Sequence, residues 1–475
     1  MKQINKITTL LALSCSMALA AVPNIGDIEK QVQPPKEVTK QKDVPLIEIG
    51  GIKEYAPIMK DDKSGKTIFV KSFKIDGAIH VDEDKLQKLI TSYTNRDLTF
   101  NDLQEVTSII TKEYRNQGYF VARAYLPAQN INENNGVIII AIIEGNYGEF
   151  KLENNSRVKE SIIQGMIDDA KARDNVVSTD TLERSIIIIN DTPGVIVTSA
   201  NIKPGKAVGS SDFAIVTEPS KAYDGYILAD NYGSRYTGKQ RVMAGVNINS
   251  PFEIGDKISL NGLLSNGENL RNGRVAYEVP LMSNGFRGEV SYSMTMYSLI
   301  EEYQALDAIG KSSTLDATLI YPFIRTRSEN FNVSMNIASR DLKDETRSQD
   351  DITKKHANVL NIGLEYNKDY LAFGLNSQSI INFGFTYGKL SFDDPAKEAQ
   401  DEAGANTNGN YSKVTLDLAH QISITPKVSL GASLKMQYAL SNKNLDGSED
   451  FSLGGAYGVK VYPDGEINAE NGYLF

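Results

Sequence analysis

The sequence predicts two tandem α+β units followed by an all-β antiparallel sheet of the membrane-barrel class. Three observations carry that prediction. The order strand, helix, helix, strand, strand occurs twice within residues 67–220. Beyond Ser220 helical spacing disappears, and apolar and polar side chains alternate instead. After the N-terminal segment no run of apolar residues is long enough for a membrane helix, so a crossing here must be made by strands.

The N-terminus comes first. Lys2 and Lys6 precede the apolar stretch Ile7–Ala20, which closes on Ala18-Leu19-Ala20. A basic start, a short apolar run and an A-x-A end predict a secretory signal over 1–20. A lipoprotein reading would use Cys15, but Ala12-Leu13-Ser14 makes a poor lipobox. Cys15 is the only cysteine, so the cleaved chain has no disulfide, thiol nucleophile or cysteine-bound metal. Residues 21–66 read as helix and linker: Ile25–Val32 has room for a few helical turns, and Pro34, Pro35, Pro45 and Pro57 break the rest.

The first unit is expected over 67–146. A strand in Thr67–Gly77 ends in a turn. Leu86, Leu89 and Ile90 mark a helix in Asp82–Ser92. Thr99 caps a second helix with Leu103, Val106, Ile109, Ile110 and Tyr114 on one face, ended by Gly118. Strands are expected over Tyr119–Leu126 and Val137–Glu144. The second unit, 147–220, repeats the scheme. A strand at Glu149–Leu152 is followed by helices at Val158–Ala172 and Thr179–Ile189, the latter capped by Ser178 or Thr179 and stopped by Pro193-Gly194. Strands close it at Val195–Ile202 and Ser211–Glu218.

In residues 221–475 period-2 alternation takes over. Val428, Leu430, Ala432, Leu434, Met436, Tyr438 and Leu440 are apolar, with Ser429, Gly431, Ser433, Lys435 and Gln437 between them. The same alternation runs through Val290–Met296, Leu315–Tyr321, Phe331–Ile337, Leu360–Tyr366, Ile381–Tyr387 and Val414–Leu418. A soluble sandwich also alternates. Strand lengths near what a tilted crossing needs, and tight turns such as Val279–Phe286 beside the long polar stretch Phe392–Asn410, favour a barrel in lipid. Asp316, Glu365, Asp417, Lys435 and Gln437 are then expected to face a wet interior. Tyr277, Tyr297, Tyr321 and Tyr387 are expected in an interfacial girdle.

Composition excludes other classes. The net charge of −10 argues against a nucleic-acid partner. His80, His356 and His420 are scattered, G-x-S-x-G is absent, and Asp61-Asp62 and Asp393-Asp394 fall in loops, so neither an enzyme nor a cofactor is expected.

Several stretches resemble the outer-membrane transporters of two-partner secretion, the haemolysin secretion/activation (ShlB/FhaC/HecB-like) family of the Omp85 superfamily. "YRNQGYFVARAYLPAQ" (Tyr114–Gln129), Gly136 and "IIEG" (Ile142–Gly145) resemble its first POTRA domain. "PGVIV" (Pro193–Val197), "KPG" (Lys203–Gly205) and Gly209-Ser210 resemble its second. "LADNYGSRYTG" (Leu228–Gly238), "INSPFEIGD" (Ile248–Asp256) and "YEVPL" (Tyr277–Leu281) resemble the opening barrel hairpins. Phe451–Phe475 resembles the loop that folds into the lumen between the eleventh and twelfth strands and carries a VRGY tetrad. Here Val459, Lys460, Val461 and Tyr462 hold those positions. Lysine replaces the arginine and loses its bidentate fork, and valine replaces the glycine.

The resemblance implies a sixteen-stranded barrel, of which about eleven strands precede this loop. Even strand numbers close a cylinder, so the expectation is that five more strands would follow Phe475 and that the chain is truncated. The implied function is an outer-membrane translocator that recognises an unfolded exoprotein through periplasmic POTRA edges within 67–219 and passes it through the pore. The implied client is a large β-helical haemolysin- or haemagglutinin-like protein. Outer-membrane lipid, periplasmic chaperones and the barrel-assembly machinery are the other implied partners. The alternative is an Omp85-type assembly factor for other barrels.

Overall fold

The structure is a computed structural model and describes residues 22–29, 32, 48–49, 67–130, 135–207, 209–455, 458–462, 465 and 467–475. The predicted signal, 1–20, and most of 21–66 lie outside these. A short helix α1 (Ile25–Glu29) and a two-residue strand β1 (Glu48–Ile49) are the described elements before the first unit.

The first unit contains β2 (Ile68–Val70), β3 (Ser72–Asp76), α2 (Glu83–Ile90), β4 (Arg96–Leu98), α3 (Phe100–Asn116), β5 (Arg123–Tyr125) and β6 (Val137–Ile143). Its sheet has the order β3-β6-β5, with β3 parallel and β5 antiparallel to β6. The pair β2–β4 forms a separate ribbon. Thr99 caps α3 as its sequence position suggests: its hydroxyl accepts from the Asp102 N–H at 3.2 Å, and Asp102 accepts from the Thr99 N–H at 2.7 Å. Leu103, Val106, Ile110 and Tyr114 pack from α3 onto Ile138, Ile140 and Ile142 of β6.

One expected strand is corrected. The first half of Tyr119–Leu126 is a turn, with the Ala122 N–H donating to the Tyr119 carbonyl at 3.0 Å, and strand pairing begins only at Arg123. The physical reason is packing. The Tyr119 ring sits 6.0 Å from Tyr114 and 5.4 Å from His80, while Phe120 and Val121 turn toward the core of the second unit.

The second unit contains β7 (Asn146–Asn154), α4 (Glu160–Arg173), α5 (Thr179–Asp191), β8 (Val195–Pro204) and β9 (Ser210–Pro219). Its sheet runs β1-β8-β9-β7; β7 and β9 are parallel and β8 is antiparallel to β9, the topology of the first unit again. Ser178 caps α5, accepting from the Thr181 N–H at 3.2 Å. Ile163, Met166 and Ile167 of α4 and Ile186 and Ile189 of α5 bury against Val195, Val197, Phe213 and Ile215.

The third part is one antiparallel sheet. Its strands are β10 (Tyr223–Asp230), β11 (Arg241–Asn249), β12 (Lys257–Ser265), β13 (Leu270–Pro280), β14 (Arg287–Ser298), β15 (Ala308–Arg325), β16 (Glu329–Thr346), β17 (Asp351–Ala372), β18 (Leu375–Phe392), β19 (Gly409–Thr425) and β20 (Val428–Ala439). A helix α6 (Pro395–Ala403) lies between β18 and β19. A small hairpin of β21 (Phe451–Ser452) and β22 (Asn468–Ala469) follows β20, and β23 (Gly472–Leu474) pairs with β20. The sheet thus has twelve strands among the described residues, eleven of them before the Val459–Tyr462 tetrad; sixteen are not reached. Each of β10–β20 pairs with its sequence neighbours, which is the meander that alternation with short turns specifies.

Alternation divides the sheet into two faces. Val242 and Val246 on β11, Leu260 and Leu264 on β12, Leu315 and Leu319 on β15 and Met335 and Ile337 on β16 are exposed on one face. Met243, Leu263, Thr314 and Ala338, at alternate positions on the same strands, are buried on the other. The apolar exposed face is the one lipid must cover. Tyr277, Tyr321 and Tyr387 follow the apolar positions of their strands, but Tyr297 does not. It is buried on the inner face, with its hydroxyl donating to Asp344 at 2.7 Å, so its expected place in an outer girdle is corrected. One position off the Val290–Met296 row reverses the face.

Candidate translocation path

The inner face is polar by construction. Ser291 on β14 donates to Asp316 on β15. Asn336 on β16 donates to Asp316 and Thr318 at 3.2 and 2.8 Å. Asn361 on β17 donates to Asn336 at 3.1 Å, and Thr386 on β18 donates to Asn361 at 2.8 Å. This is a ladder of small hydrogen-bonding groups across five strands, the lining expected where water or an unfolded chain must pass. Asp316, expected to point inward, stands in it. Gln437 also points inward, donating to the carbonyls of Glu449 at 2.9 Å and Glu470 at 3.0 Å.

Two segments occupy this face. The first is α1, within the span Ile25–Val32 that the sequence marks as room for a few helical turns. Ile25 and Ile28 are fully buried among Tyr236, Met243, Leu263, Leu270, Tyr297 and Leu342, side chains from strands and loops far apart along the sheet. The Ile25 N–H donates to the Asp344 carboxylate at 2.8 Å. The second is the segment after β20. Leu445 packs on Ala338, Ala357, Val359, Leu390 and Tyr411. Asp446 pairs with Lys355 of β17; Glu449 pairs with Arg340 of β16 and Lys413 of β19, each at 2.8 Å, and accepts from Tyr411 at 3.1 Å. A cluster touched from β11 through β20 requires the sheet to curl around it. The concave side is therefore a lumen, and α1 and residues 445–449 stand inside it.

These two segments also hold one another. A methyl group on Gly26 would lie 2.5 Å from the Ser448 backbone nitrogen, and one on Gly447 would lie 2.8 Å from Asp27 Oδ1. Only glycine permits this approach. Asn468 adds a hydrogen bond to Asp27 at 3.1 Å. Beside the contact a cavity of about 240 Å³ remains, lined among others by Val32, Asn261, Arg274, Thr314 and Ser448.

The tetrad lies ten residues beyond Glu449. It is a tight turn: Tyr462 N–H donates to the Val459 carbonyl at 3.0 Å, and the Gly455 N–H donates to the Tyr462 carbonyl at 2.9 Å. Lys460 and Val461 are exposed. The ion pairs that tie the segment following β20 to the wall belong instead to Asp446 and Glu449, which sequence reading did not single out. Inward alternation marks Arg340, Lys355 and Lys413 as wall residues, but partners 36 to 109 residues away carry no local signal.

The short-turn end of the sheet carries the second unit. Arg184 of α5 donates to the carbonyls of Pro322, Asn284 (3.2 Å) and Phe323 (3.4 Å). Asp191 accepts Arg325 at 2.7 Å, and Glu183 pairs with Arg327 at 2.6 Å. The Lys159 N–H donates to the Glu253 carbonyl at 2.8 Å. A paired α+β module thus stands against one rim of an occluded, polar-lined barrel.

A profile of the haemolysin secretion/activation protein ShlB/FhaC/HecB family matches residues 209–475, more than half of the chain. The chain belongs to that family. A ShlB-type POTRA profile matches residues 68–145. Among curated relatives, the heme/hemopexin transporter protein HuxB of Haemophilus influenzae (strain 86-028NP) is 27% identical over 391 residues, 82% of this chain and 68% of the relative. The hemolysin transporter protein ShlB of Serratia marcescens is 23% identical over 359 residues, covering 70% of this chain and 62% of the relative. Among solved structures, CdiB from Escherichia coli shares the fold, with a TM-score of 0.69 and 21% identity over 88% of this chain and 76% of that one. Membership makes the chain an outer-membrane secretion transporter of the two-partner type, with its POTRA units on the periplasmic side. It also sets the transporter reading above that of an assembly factor for other barrels.

Proposed function

We propose that the chain exports an unfolded exoprotein of the haemolysin or haemagglutinin class, taken up by the POTRA units and passed along the inner face. The observation that carries this reading is a polar-lined lumen that is blocked by elements of the chain itself and adjoined at one rim by the POTRA pair. A passive pore has no use for such an arrangement. Lipid covers the apolar face, while periplasmic chaperones and the barrel-assembly machinery deliver the chain to the membrane. The tetrad Val459–Tyr462 is the tip of the loop that must rearrange with residues 445–449 when the lumen opens. A client folding outside the cell supplies direction where no nucleotide is available. The chemistry is one of hydrogen bonding and displacement, with no bond made or broken.

Deleting residues 67–219 tests it. Export of a co-expressed haemolysin-class exoprotein should cease, while the shortened chain should still insert in the outer membrane, read by membrane fractionation. Continued export without these residues would overturn the reading.

A further inference from the structure

A buried ion pair adds little stability over an apolar pair of the same size, so charges massed at one place inside a barrel call for another reason. The segment after β20 already has an apolar anchor there, since Leu445 sits on Ala357, Val359 and Leu390. Charged contacts surround that anchor. Lys355 of β17 pairs with Asp446. Glu449 is shared: its carboxylate meets Arg340 of β16 and Lys413 of β19, each at 2.8 Å, and the Tyr411 hydroxyl at 3.1 Å. Its carbonyl accepts from Lys413 at 2.6 Å and from Gln437 at 2.9 Å.

At this seat the polarity is one-sided. The wall supplies the cations, from three strands, and the inward segment supplies the acids. A single tight turn presents them: the Glu449 N–H donates to the Asp446 carbonyl at 2.7 Å, and Asp446 Oδ1 accepts from the Ser448 N–H and hydroxyl at 3.2 and 2.9 Å. Two carboxylates three residues apart thus follow one apolar side chain. When the segment moves aside for a passing chain, Arg340, Lys355 and Lys413 lose these acids. What remains is a basic patch beside an apolar seat. Asp344 of β16 stays within electrostatic reach of Lys355, so the excess of positive charge lies toward Arg340 and Lys413. Stranding such cations inside a membrane protein is costly. The groups best able to replace the lost acids are other carboxylates.

We propose that this seat is a binding site for acidic stretches of the exported chain, and that residues 445–449 are a resident mimic of them. This rests on the transport reading above. The chemistry selected is an apolar residue, a carboxylate directly after it and a second carboxylate three residues further on, the pattern of Leu445, Asp446 and Glu449. A passing stretch of that kind takes the mimic's place on Arg340 and Lys413 and yields it again as the chain moves on. The wall cations keep acid partners throughout, so transit does not stall in a state with buried, unpaired charge.

A fluorescent peptide copying residues 444–449, with blocked ends, tests the site on the purified full chain in detergent. The tethered mimic competes at high effective concentration, so Asp446→Asn with Glu449→Gln should tighten peptide binding roughly tenfold. Adding Arg340→Gln and Lys413→Gln should then abolish it; Lys355 is left in place because Asp344 lies within its reach. A second peptide, with Asn and Gln at the two acidic positions, needs no further change to the protein and should bind roughly tenfold more weakly than the first. Equal binding of the two peptides would overturn the proposal, as would binding that survives the loss of Arg340 and Lys413. Export gives another readout. The four-substitution chain should export a co-expressed haemolysin-class exoprotein roughly tenfold less than the two-substitution chain, at equal amounts in the outer membrane by fractionation. A wall that merely anchors the segment predicts no difference, since the acids are gone from both; equal export would overturn the proposal. Acid-dependent peptide binding by a chain that exports nothing, even unsubstituted, would sink the transport reading and leave the seat standing.

Discussion

The two POTRA units share a topology and differ in what surrounds them. In the first, polar side chains serve the unit itself and its joint with the second. Glu144, nearly buried, accepts from the Ile79 and His80 N–H groups at 2.8 Å, from the Tyr114 hydroxyl at 2.9 Å, and lies 2.6 Å from His80 Nδ1. His80 Nε2 also lies 3.4 Å from Asp174 of the second unit, and the Gly118 carbonyl accepts from the Thr179 N–H at 2.9 Å. In the second unit the outward polar groups reach the barrel. Arg184, Asp191 and Glu183 spend their polar contacts on the short-turn end of the sheet, at the end of β15 and the loops beside it. One fold thus serves as an arm in one copy and as a shoulder in the other. The lesson is that tandem copies of a module are told apart by the direction of their polar side chains more than by their cores.

That contrast can be broken most severely at the shoulder. Gly194 has φ +92°, and a Cβ there would meet Ser250 Cβ at 2.5 Å. Gly194→Val combines backbone strain with overpacking and should cost roughly 2–5 kcal/mol. Faster hydrogen exchange across β8 and loss of export would register it; wild-type exchange would contradict the contact. Arg184→Ala comes next. It strips a cation from three carbonyls and should cost about 2–3 kcal/mol, read as a lower unfolding midpoint of the second unit. Its effect should be absent when the POTRA pair is studied apart from the barrel.

The arm should respond more mildly. Burial opposes ionisation of Glu144, but hydrogen bonds from the His80 backbone and ring, the Ile79 N–H and the Tyr114 hydroxyl outweigh it and hold the carboxyl below its usual range. A lowered folded-state value means the stabilisation is present above the unfolded value, about 4.3, and is lost as pH falls through the folded one. Glu144→Gln should therefore lower the first unit's melting temperature at pH 7, by about 1–2 kcal/mol in stability, and the gap should close as the pH falls below about 4. A gap that persists unchanged in acid would refute the assignment. The smallest effect belongs to Gln129→Ala, which removes the side-chain amide bonded to the Ile139 N–H and carbonyl at 2.8 Å. It should cost about 0.5–1.5 kcal/mol, seen as faster exchange of the Ile139 amide while docking to the barrel stays intact.

Much of this architecture could be read from the sequence because period-2 alternation is local. The strands β14 to β20 carry it, and it separates their two faces. Where a residue broke step, as Tyr297 does, the alternation of its own strand already pointed inward; its aromatic type suggested otherwise. The cap at Thr99 was legible, since a capping box spans four residues. The turn at Tyr119 was not, because its aromatic run suits a strand and only the neighbouring unit supplies the competing contacts. The lumen site divides in the same way. Ile25 and Ile28 looked like a small helix, but Asp446 and Glu449 find their partners only after the sheet curls. Strand β1 could not be foreseen: Glu48 and Ile49 sit among prolines, and pairing of two residues leaves no pattern.

The abutting glycines at 26 and 447 have a further consequence. Gly26 sits against the Ser448 backbone nitrogen and Gly447 against the Asp27 carboxylate, so the joint has little slack. Such a seal does not loosen by degrees. Withdrawing either part removes some of the surface that seats the other, so the two should leave the lumen together, sparing the cell a slow leak of small solutes while it waits for cargo.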